Sequence, residues 1–204
     1  MEATLGGKIR AAAVFDRDYR SDGECLAIQT ECSKFCELVI IHKRKEVENF
    51  LLVPDAIDRA TALRVTDHAK RAGRAQTYLP QASKILDAFG LEKKAYVAAQ
   101  FTTDRKRFER QRGSGDHEAT ISEIAYREFE LLWNDPAKRM DLLPGKDALS
   151  EINQTLQRAY EISVTSTAIV DAMHRDEIPV EMKTLIERLK KFCGETDLVT
   201  IAET

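Results

Sequence analysis

The chain has 204 residues, the length of one ordinary domain or of one domain with an appendage. Its composition, 43% hydrophobic and 32% charged residues, allows a buried core, which excludes a disordered segment. The formal net charge of −3, from 31 Lys and Arg against 34 Asp and Glu, excludes a protein that coats nucleic acid through bulk positive charge.

Nothing in the sequence predicts a membrane or secreted protein. The longest uncharged apolar runs, residues 11–15 and 38–41, are far shorter than the roughly 20 residues that span a bilayer. The chain start lacks the charged-then-apolar pattern of a secretory signal. Its four cysteines do not have the spacing of a disulfide scaffold. We therefore expect a cytoplasmic protein with no membrane partner.

The first quarter predicts a strand–helix–strand unit. Residues 9–15 and 38–41 are apolar runs, and the second is rich in β-branched residues. Near-continuous apolar strands are typical of a parallel sheet that is buried on both faces. The residues between them, from Ser21 to about Glu37, read as a crossover helix.

The remainder reads as helices, which makes the predicted fold class α/β with a largely helical second half. Helices are expected over residues 54–73, from about 79 with a pause at Gly90, over 91–112, and over 116–134. Residues 140–146 indicate a short strand or a turn. Further helices are expected over 148–160, 165–174 and 179–192.

Two carboxylates follow the first predicted strand directly. Asp16 and Asp18 are two residues apart, so on a continuing strand both would face one side. Ligands of open parallel sheets bind beyond the carboxyl ends of the strands, and Mg²⁺ prefers one or two carboxylates there. The alternative is that the pair belongs to a cap or loop, as many such pairs do.

Three further acids are candidates for the same site. Glu46 and Glu48 alternate after the second predicted strand, and a parallel neighbour would bring them to the same sheet edge. An exposed charged loop is the alternative. Glu24 is also a candidate ligand, although Ser21-x-x-Glu24 fits a capping box at the start of the crossover helix.

Two basic features complete the candidates. Lys146 follows Pro144-Gly145 at an apparent turn into a helix, where a lysine is able to meet a phosphate or is simply a surface residue. The stretch 104–112 carries five basic residues that are able to contact DNA phosphates, unless it is a solvated helix end: Arg105, Lys106, Arg107, Arg110 and Arg112.

In chain order these pieces resemble the Toprim region of the OLD (overcoming lysogenization defect) family of ATP-dependent endonucleases. The resemblance rests on four strings: Val14 to Ser21 (Val-Phe-Asp-Arg-Asp-Tyr-Arg-Ser), Lys43 to Leu52 (Lys-Arg-Lys-Glu-Val-Glu-Asn-Phe-Leu-Leu), Leu143 to Lys146 (Leu-Pro-Gly-Lys) and Asp176 to Pro179 (Asp-Glu-Ile-Pro). The string around Glu46-Val47-Glu48-Asn49 is the most specific of these, and Asp-x-Asp the least.

The resemblance implies a partial Toprim, Rossmann-like fold and a DNA-cutting activity. Residues 1–53 would form a partial Toprim α/β core, 54–139 a helical insertion, and 140–204 the lysine turn and C-terminal helices. It implies that Asp16 and Asp18 bind Mg²⁺ or Mn²⁺, that Glu46 and Glu48 complete the acidic site, and that Lys146 is the catalytic lysine.

The chain also departs from the family pattern. A Toprim site uses a glutamate on an earlier strand, and Glu2 lies too close to residue 9 to replace it. No phosphate-loop motif is present, so we expect no ATP site here. We expect an ATPase domain upstream or in another chain, and weak activity of this chain alone, which would then be a C-terminal part of a larger nuclease.

Two other functions fit parts of the pattern. An apolar strand that ends in Asp-x-Asp resembles the first motif of haloacid-dehalogenase-type phosphatases, but that motif needs a small hydroxyl residue where Arg20 stands. The other is a non-catalytic module that assembles with an ATPase partner through its helical second half. A homo-oligomer is also possible under each interpretation.

Overall fold

Two short parallel strands begin the part of the chain that the computed structural model describes, residues 10–194. Strand β1 (Ala12–Phe15) pairs with strand β2 (Leu38–Ile41), with Phe15 opposite Ile41. Helix α1 (Asp22–Cys32) connects them and begins where the Ser21 hydroxyl accepts a hydrogen bond from the Glu24 backbone N–H, 3.1 Å away. The predicted strand–helix–strand unit is confirmed. Ile9 lies outside the described residues.

Helices make up most of the remaining described chain, so the fold is mixed α/β and mainly helical. A 3₁₀ helix (Val47–Leu51) follows β2. The α-helices after it are α2 (Pro54–Arg71), α3 (Ala82–Gln111), α4 (Glu118–Trp133), α5 (Pro136–Leu142), α6 (Gly145–Tyr160), α7 (Ser166–Ala172) and α8 (Val180–Cys193). None of the helices within residues 10–194 is both long and apolar enough to cross a membrane.

The predicted pause at Gly90 is wrong, because α3 continues through it without a break. A Cβ at this position would lie 3.6 Å from the Arg139 side chain, 3.8 Å from that of Leu143 and 4.0 Å from that of Trp133. These are ordinary van der Waals distances, so a side chain would fit here, and the helix continues through Gly90 despite the low helix propensity of glycine. Gly90 is buried within a continuous helix, and the spacing of residues in the sequence does not show this.

Of the two alternatives for residues 140–146, the strand is wrong, whereas the turn is confirmed in part, since residues 143–144 form the bend between α5 and α6. Residues 140–142 form the end of α5, and Gly145 begins α6. Asp135 caps α5 by accepting the backbone N–H of Ala137 at 3.0 Å, and Pro136 occupies the first turn. The apolar spacing resembled a strand because the helix is only seven residues long.

One continuous hydrophobic core joins the helices to the strand end. It extends from Tyr19, just after β1, to Ile169 in α7. At its centre the ring centroids of Phe101 and Phe129 lie 5.9 Å apart, and those of Phe129 and Trp133 lie 5.1 Å apart. The core crosses both expected boundaries, at 53/54 and at 139/140, because α6 and α7 pack on the 3₁₀ helix and α3 packs on α6.

The sheet is less covered than its apolar sequence predicts. Ile40 is buried, but Val14 is 44% exposed. The described sheet has two strands, so one crossover helix and the flanking loops cover only part of β1. The prediction that both faces are buried therefore holds for part of β2 and not for β1.

Candidate functional site

The two chain segments that follow the strands remain side by side. The Arg17 backbone N–H donates to Arg44 O at 3.3 Å, and that of Asp18 donates to Lys45 O at 2.9 Å. Asp18 has a φ of +50°, a left-handed conformation that Asp tolerates better than most residues. The chain therefore turns at Asp18, and the alternation of a strand does not apply to Asp16 and Asp18. Their carboxylates have different partners.

Asp16 has one carboxylate oxygen fixed and the other open. Its Oδ1 accepts the Val47 backbone N–H at 3.0 Å and lies 2.9 Å from His42 Nε2. Its Oδ2 has no hydrogen-bond partner among the described residues. A carboxylate that is held through one oxygen is oriented to offer the other to a ligand.

His42 is a site residue that sequence reasoning missed. It is 3% exposed, its ring lies edge-on to Phe50 at a centroid distance of 5.4 Å, and its Nδ1 is buried without a partner. The parallel register supplies the signal that could have found it: since Phe15 faces Ile41, the next residues, Asp16 and His42, are neighbours.

Asp18 and Glu24 are linked through one arginine. The Arg20 guanidinium lies 2.9 Å from Asp18 Oδ2 and 3.9 Å from Glu24 Oε1. Glu24 is buried, and its Oε2 has no hydrogen-bond partner. The cap at Ser21 forms as the sequence predicts, but it uses the backbone N–H of Glu24. The carboxylate of Glu24 faces Arg20.

Glu46 fixes the start of α6 at the sheet edge. Its Oε2 accepts the Lys146 backbone N–H at 3.0 Å, and its Oε1 is bonded to the Lys45 ammonium. Burial alone would raise the pKa of Glu46, but the hydrogen bonds from Lys45 and the Lys146 N–H outweigh it, so the pKa lies below its usual value. Both of its oxygens are occupied within the protein.

Glu48 and Lys146 meet at the same edge. The Lys146 ammonium lies 4.0 Å from Glu48 Oε1, and the lysine side chain is 63% exposed. Glu48 Oε2 is buried and has no hydrogen-bond partner. An unpaired buried carboxylate oxygen is costly, so Glu48 is suited to accept a cation or proton from outside the chain.

Asn49 and Gly145 bring together two segments that lie far apart in the sequence, residues 46–49 and 143–146. Asn49 is fully buried; its Nδ2 donates to Met140 O at 2.7 Å and to Leu143 O at 2.8 Å, and its Oδ1 accepts the Glu46 N–H at 2.9 Å. A Cβ on Gly145 would lie 2.8 Å from Asn49 Oδ1 and 2.9 Å from Asn49 N. Only glycine allows this approach, so these two residues place Lys146 beside Glu46 and Glu48.

Arg105, the first predicted DNA contact, lies in the interior. It is 8% exposed, and its guanidinium makes two bonds to the Glu128 carboxylate, at 2.7 and 3.1 Å, and one to Tyr19 O at 2.5 Å. It also lies over the Phe101 ring, 4.4 Å from the centroid. Its contacts join α3, α4 and the turn after β1, so this buried guanidinium holds three parts of the fold together and is not presented to a DNA phosphate at the surface.

The other four predicted DNA contacts lie at the surface in ion pairs. Their partners are Glu118 for Lys106 and Arg110, Asp104 for Arg107, and Glu109 for Arg112. Surface pairs of this kind contribute little to stability, so the four side chains are able to exchange their partners for phosphates.

Three acids near the sheet edge keep carboxylate oxygens that could hold a divalent cation, but they do not form a cage. Within residues 10–194, no group of three or more His, Cys, Asp or Glu side chains is placed to hold a metal ion together. Asp16, Asp18 and Glu48 each keep an oxygen without a hydrogen bond, and that of Glu48 is buried. Mg²⁺ takes one or two carboxylates and completes its coordination with water and phosphate oxygens, which is what these residues offer.

Comparisons of the chain with protein-family models, with curated proteins and with solved structures find no match.

Proposed function

We propose that this chain carries a divalent-metal-dependent site for hydrolysis of DNA phosphodiester bonds, of the Toprim type that the sequence resembles. Four of the six predicted site residues support the proposal by their common position at the carboxyl ends of β1 and β2: Asp16, Glu46, Glu48 and Lys146. The observation that carries it is Asp16, held through one oxygen by Val47 and His42 with the other oxygen open.

Each residue has a distinct role in this proposal. Asp16 and Glu48, with Asp18 beside them, hold Mg²⁺ or Mn²⁺ through their unpaired oxygens. Glu46 binds no metal, since both of its oxygens are occupied, and instead holds the start of α6. Lys146 projects its exposed ammonium from that helix start toward a phosphate that approaches the edge.

The bound cation would polarise the phosphodiester and activate a water. The protein's contribution is to orient the two carboxylates and to place one positive charge where negative charge develops on the phosphate oxygens. The exposed residues Arg107, Arg110 and Arg112, with the half-buried Lys106, extend the contact along the DNA backbone. An ATPase partner, which the resemblance implies, belongs to the same proposal.

Nicking of supercoiled plasmid in Mn²⁺ tests the function. We expect slow nicking by the wild-type chain, and a loss of about a hundredfold for Asp16→Asn and for Lys146→Met. Asp67→Asn is the matched control, because Asp67 is an exposed residue of α2 and has no ion pair in the described chain.

The outcomes separate clearly. Nicking that persists unchanged in Asp16→Asn, or a wild-type chain that does not nick at high protein concentration in either Mg²⁺ or Mn²⁺, contradicts the proposal. Charge reversal at Arg107 and Arg110 should weaken DNA binding and reduce its salt dependence while leaving metal binding unchanged.

A further inference from the structure

A cleft opens directly beside the proposed site. It has a volume of about 440 Å³ and lies between the turn after β1 and helix α3. Asp18 and Tyr19 form one wall, and Tyr96, Gln100 and Thr103 of α3 form the other. Clefts of this size take small organic groups, and this one begins at a residue of the proposed metal site.

Tyr96 of α3 lines this cleft. Its side chain is 54% exposed, so the ring is accessible to a ligand. Its hydroxyl accepts a hydrogen bond from Gln100 Nε2 at 2.8 Å, one helical turn further on. The ring is therefore held in place without being buried, as a stacking surface needs to be.

The charge of the cleft favours a base over a phosphate. Its ionisable groups apart from the tyrosines are two carboxylates, Asp18 and Asp104, and one ammonium, that of Lys45, which is already bonded to Glu46. Both carboxylates are paired with arginines, Asp18 with Arg20 and Asp104 with Arg107, so the cleft offers a phosphate no unpaired positive charge. The amino and imino groups of a nucleobase would instead find acceptors, since Gln100 Oε1 has no hydrogen bond among the described residues.

A second cleft lies across the same turn and has the opposite character. Its volume is about 340 Å³, and it shares Asp18 and Tyr19 with the first. Each carboxylate that lines it is paired with an arginine: Asp18 with Arg20, Asp22 with Arg17, Glu128 with Arg105 and Asp141 with Arg44. This leaves Lys43, whose ammonium has no ion pair in the described chain, and Lys138, which has a 3.6 Å contact to Asp135.

We infer that the protein binds single-stranded DNA across this turn, with an unpaired base stacked on Tyr96 and the backbone phosphates on the side of Lys43 and Lys138. The inference rests on the proposed function and adds the substrate class to it. The paired and stacked bases of a duplex are not available to a side cleft, so in supercoiled plasmid the contact would be with a transiently unpaired segment.

Fluorescence anisotropy with labelled 12-residue oligonucleotides tests the inference in EDTA, where no cleavage interferes. The probes are oligothymidylate, an abasic strand with the same number of phosphates, and a duplex. We expect oligothymidylate to bind at least tenfold more tightly than the abasic strand and more tightly than the duplex. Equally tight binding of oligouridylate would extend the ligand to RNA and would support the same subsite.

Variants of Tyr96 locate the contact. Tyr96→Ala should weaken oligothymidylate binding by about five- to a hundredfold and should not change binding of the abasic strand. Tyr96→Phe keeps the ring and should retain most of the affinity. Phe35→Ala is the matched control, because Phe35 is 72% exposed and lies outside both clefts.

The result for the subsite is independent of the result for the proposed function. Equal affinity for the abasic and thymidylate strands, no effect of Tyr96→Ala, or no binding of any strand overturns the inference, even if plasmid nicking depends on Asp16. Base-dependent binding through Tyr96 together with no metal-dependent nicking would support the subsite and refute the nuclease.

Discussion

The sheet edge and the helical core satisfy their buried polar groups very differently. In the core, Asp58 of α2 accepts three hydrogen bonds at the start of α3, from the Tyr78 hydroxyl and from the N–H groups of Gln81 and Ala82. Among the described residues, six buried side-chain atoms lack a hydrogen bond, and four of them lie between residues 24 and 48: on Glu24, His42, Arg44 and Glu48.

The buried polar atoms without a hydrogen bond are concentrated near the sheet edge. Buried polar groups without partners cost about 1–3 kcal/mol each, so folding alone does not favour collecting them at one edge. Three of the four belong to the turn-and-strand-end region that carries the proposed cation site or its support: Glu24, His42 and Glu48. A ligand that pairs with such groups would recover part of that cost.

Substitution of Asn49, which joins the sheet edge to the helices, should have the largest effect on stability. Asn49→Ala removes three hydrogen bonds of a fully buried side chain and takes their partner from two carbonyls and one N–H. We expect a loss of about 3 kcal/mol in the free energy of unfolding, measured by urea denaturation. Asn134→Ala, at an exposed position at the end of α4, should change it by less than about 0.5 kcal/mol. Similar effects of the two variants would show that Asn49 does not hold the edge to α6.

Loss of the Asp58 carboxylate, which accepts hydrogen bonds at the start of α3, should lower the stability less than loss of Asn49 does. Asp58→Ala leaves the first N–H groups of α3 without their acceptor and removes the partner of the Tyr78 hydroxyl. We expect a loss of about 2 kcal/mol. Asp58→Asn, which keeps an acceptor oxygen, should lose less. Asp55→Ala, exposed in the first turn of the same helix, is the control, and a loss there as large as that at Asp58 would contradict the account.

Substitution of Arg105 distinguishes a structural role for this arginine from a role in DNA binding. Arg105→Met breaks its contacts with Glu128 and the Tyr19 carbonyl, and we expect about 1.5 kcal/mol of destabilisation. Arg107→Met, two residues on and 54% exposed, should change stability little and reduce DNA affinity. If Arg105→Met keeps full stability and loses DNA binding, the sequence-based assignment of Arg105 to DNA is correct and its structural role is wrong.

The lowered pKa of Glu46 predicts that the stability of the fold depends weakly on pH. Its pKa in the folded state lies below the usual value, which is about 4.3 in an unfolded chain. Its ionised form therefore stabilises the fold fully above about pH 5, and this contribution is lost as the pH falls through the folded-state pKa. The stability difference between wild type and Glu46→Gln, in EDTA, should shrink as the pH falls from 6 to about 3.

The control for this titration is Glu187→Gln, an exposed residue of α8 without an ion pair in the described chain. Its difference from wild type should stay flat over the same range. A difference for Glu46→Gln that is equally flat would mean that the carboxylate does not stabilise the start of α6.

Much of the fold and part of the site could be predicted from the sequence. Strand β2 has the predicted bounds, and Lys146 lies beside Glu48 as the order of the strings implied. Other features depend on packing that spacing does not encode. Asp18 leaves the strand direction through a left-handed turn, and Arg105 is buried by contacts from Glu128 of α4 and from Tyr19.

The role of Glu46 illustrates the limit best. Its alternation with Glu48 predicted two equivalent ligands. The close approach of Gly145 to Asn49 instead brings a backbone N–H to Glu46, while Glu48 Oε2 keeps no hydrogen-bond partner. The alternation in the sequence identified both acidic residues. Only the structure shows that Glu46 holds the start of α6 and that Glu48 keeps an oxygen which the proposal assigns to a cation.

Titration of the protein with Mn²⁺ by calorimetry tests the central claim most directly. The account predicts saturable binding of one ion, weakened at least tenfold by Asp16→Asn and by Glu48→Gln, with Glu46→Gln and the control Asp67→Asn affecting it less. Absence of binding, or affinity that is the same in wild type and in Asp16→Asn, would contradict the assignment of a cation site to the carboxyl edge of the sheet.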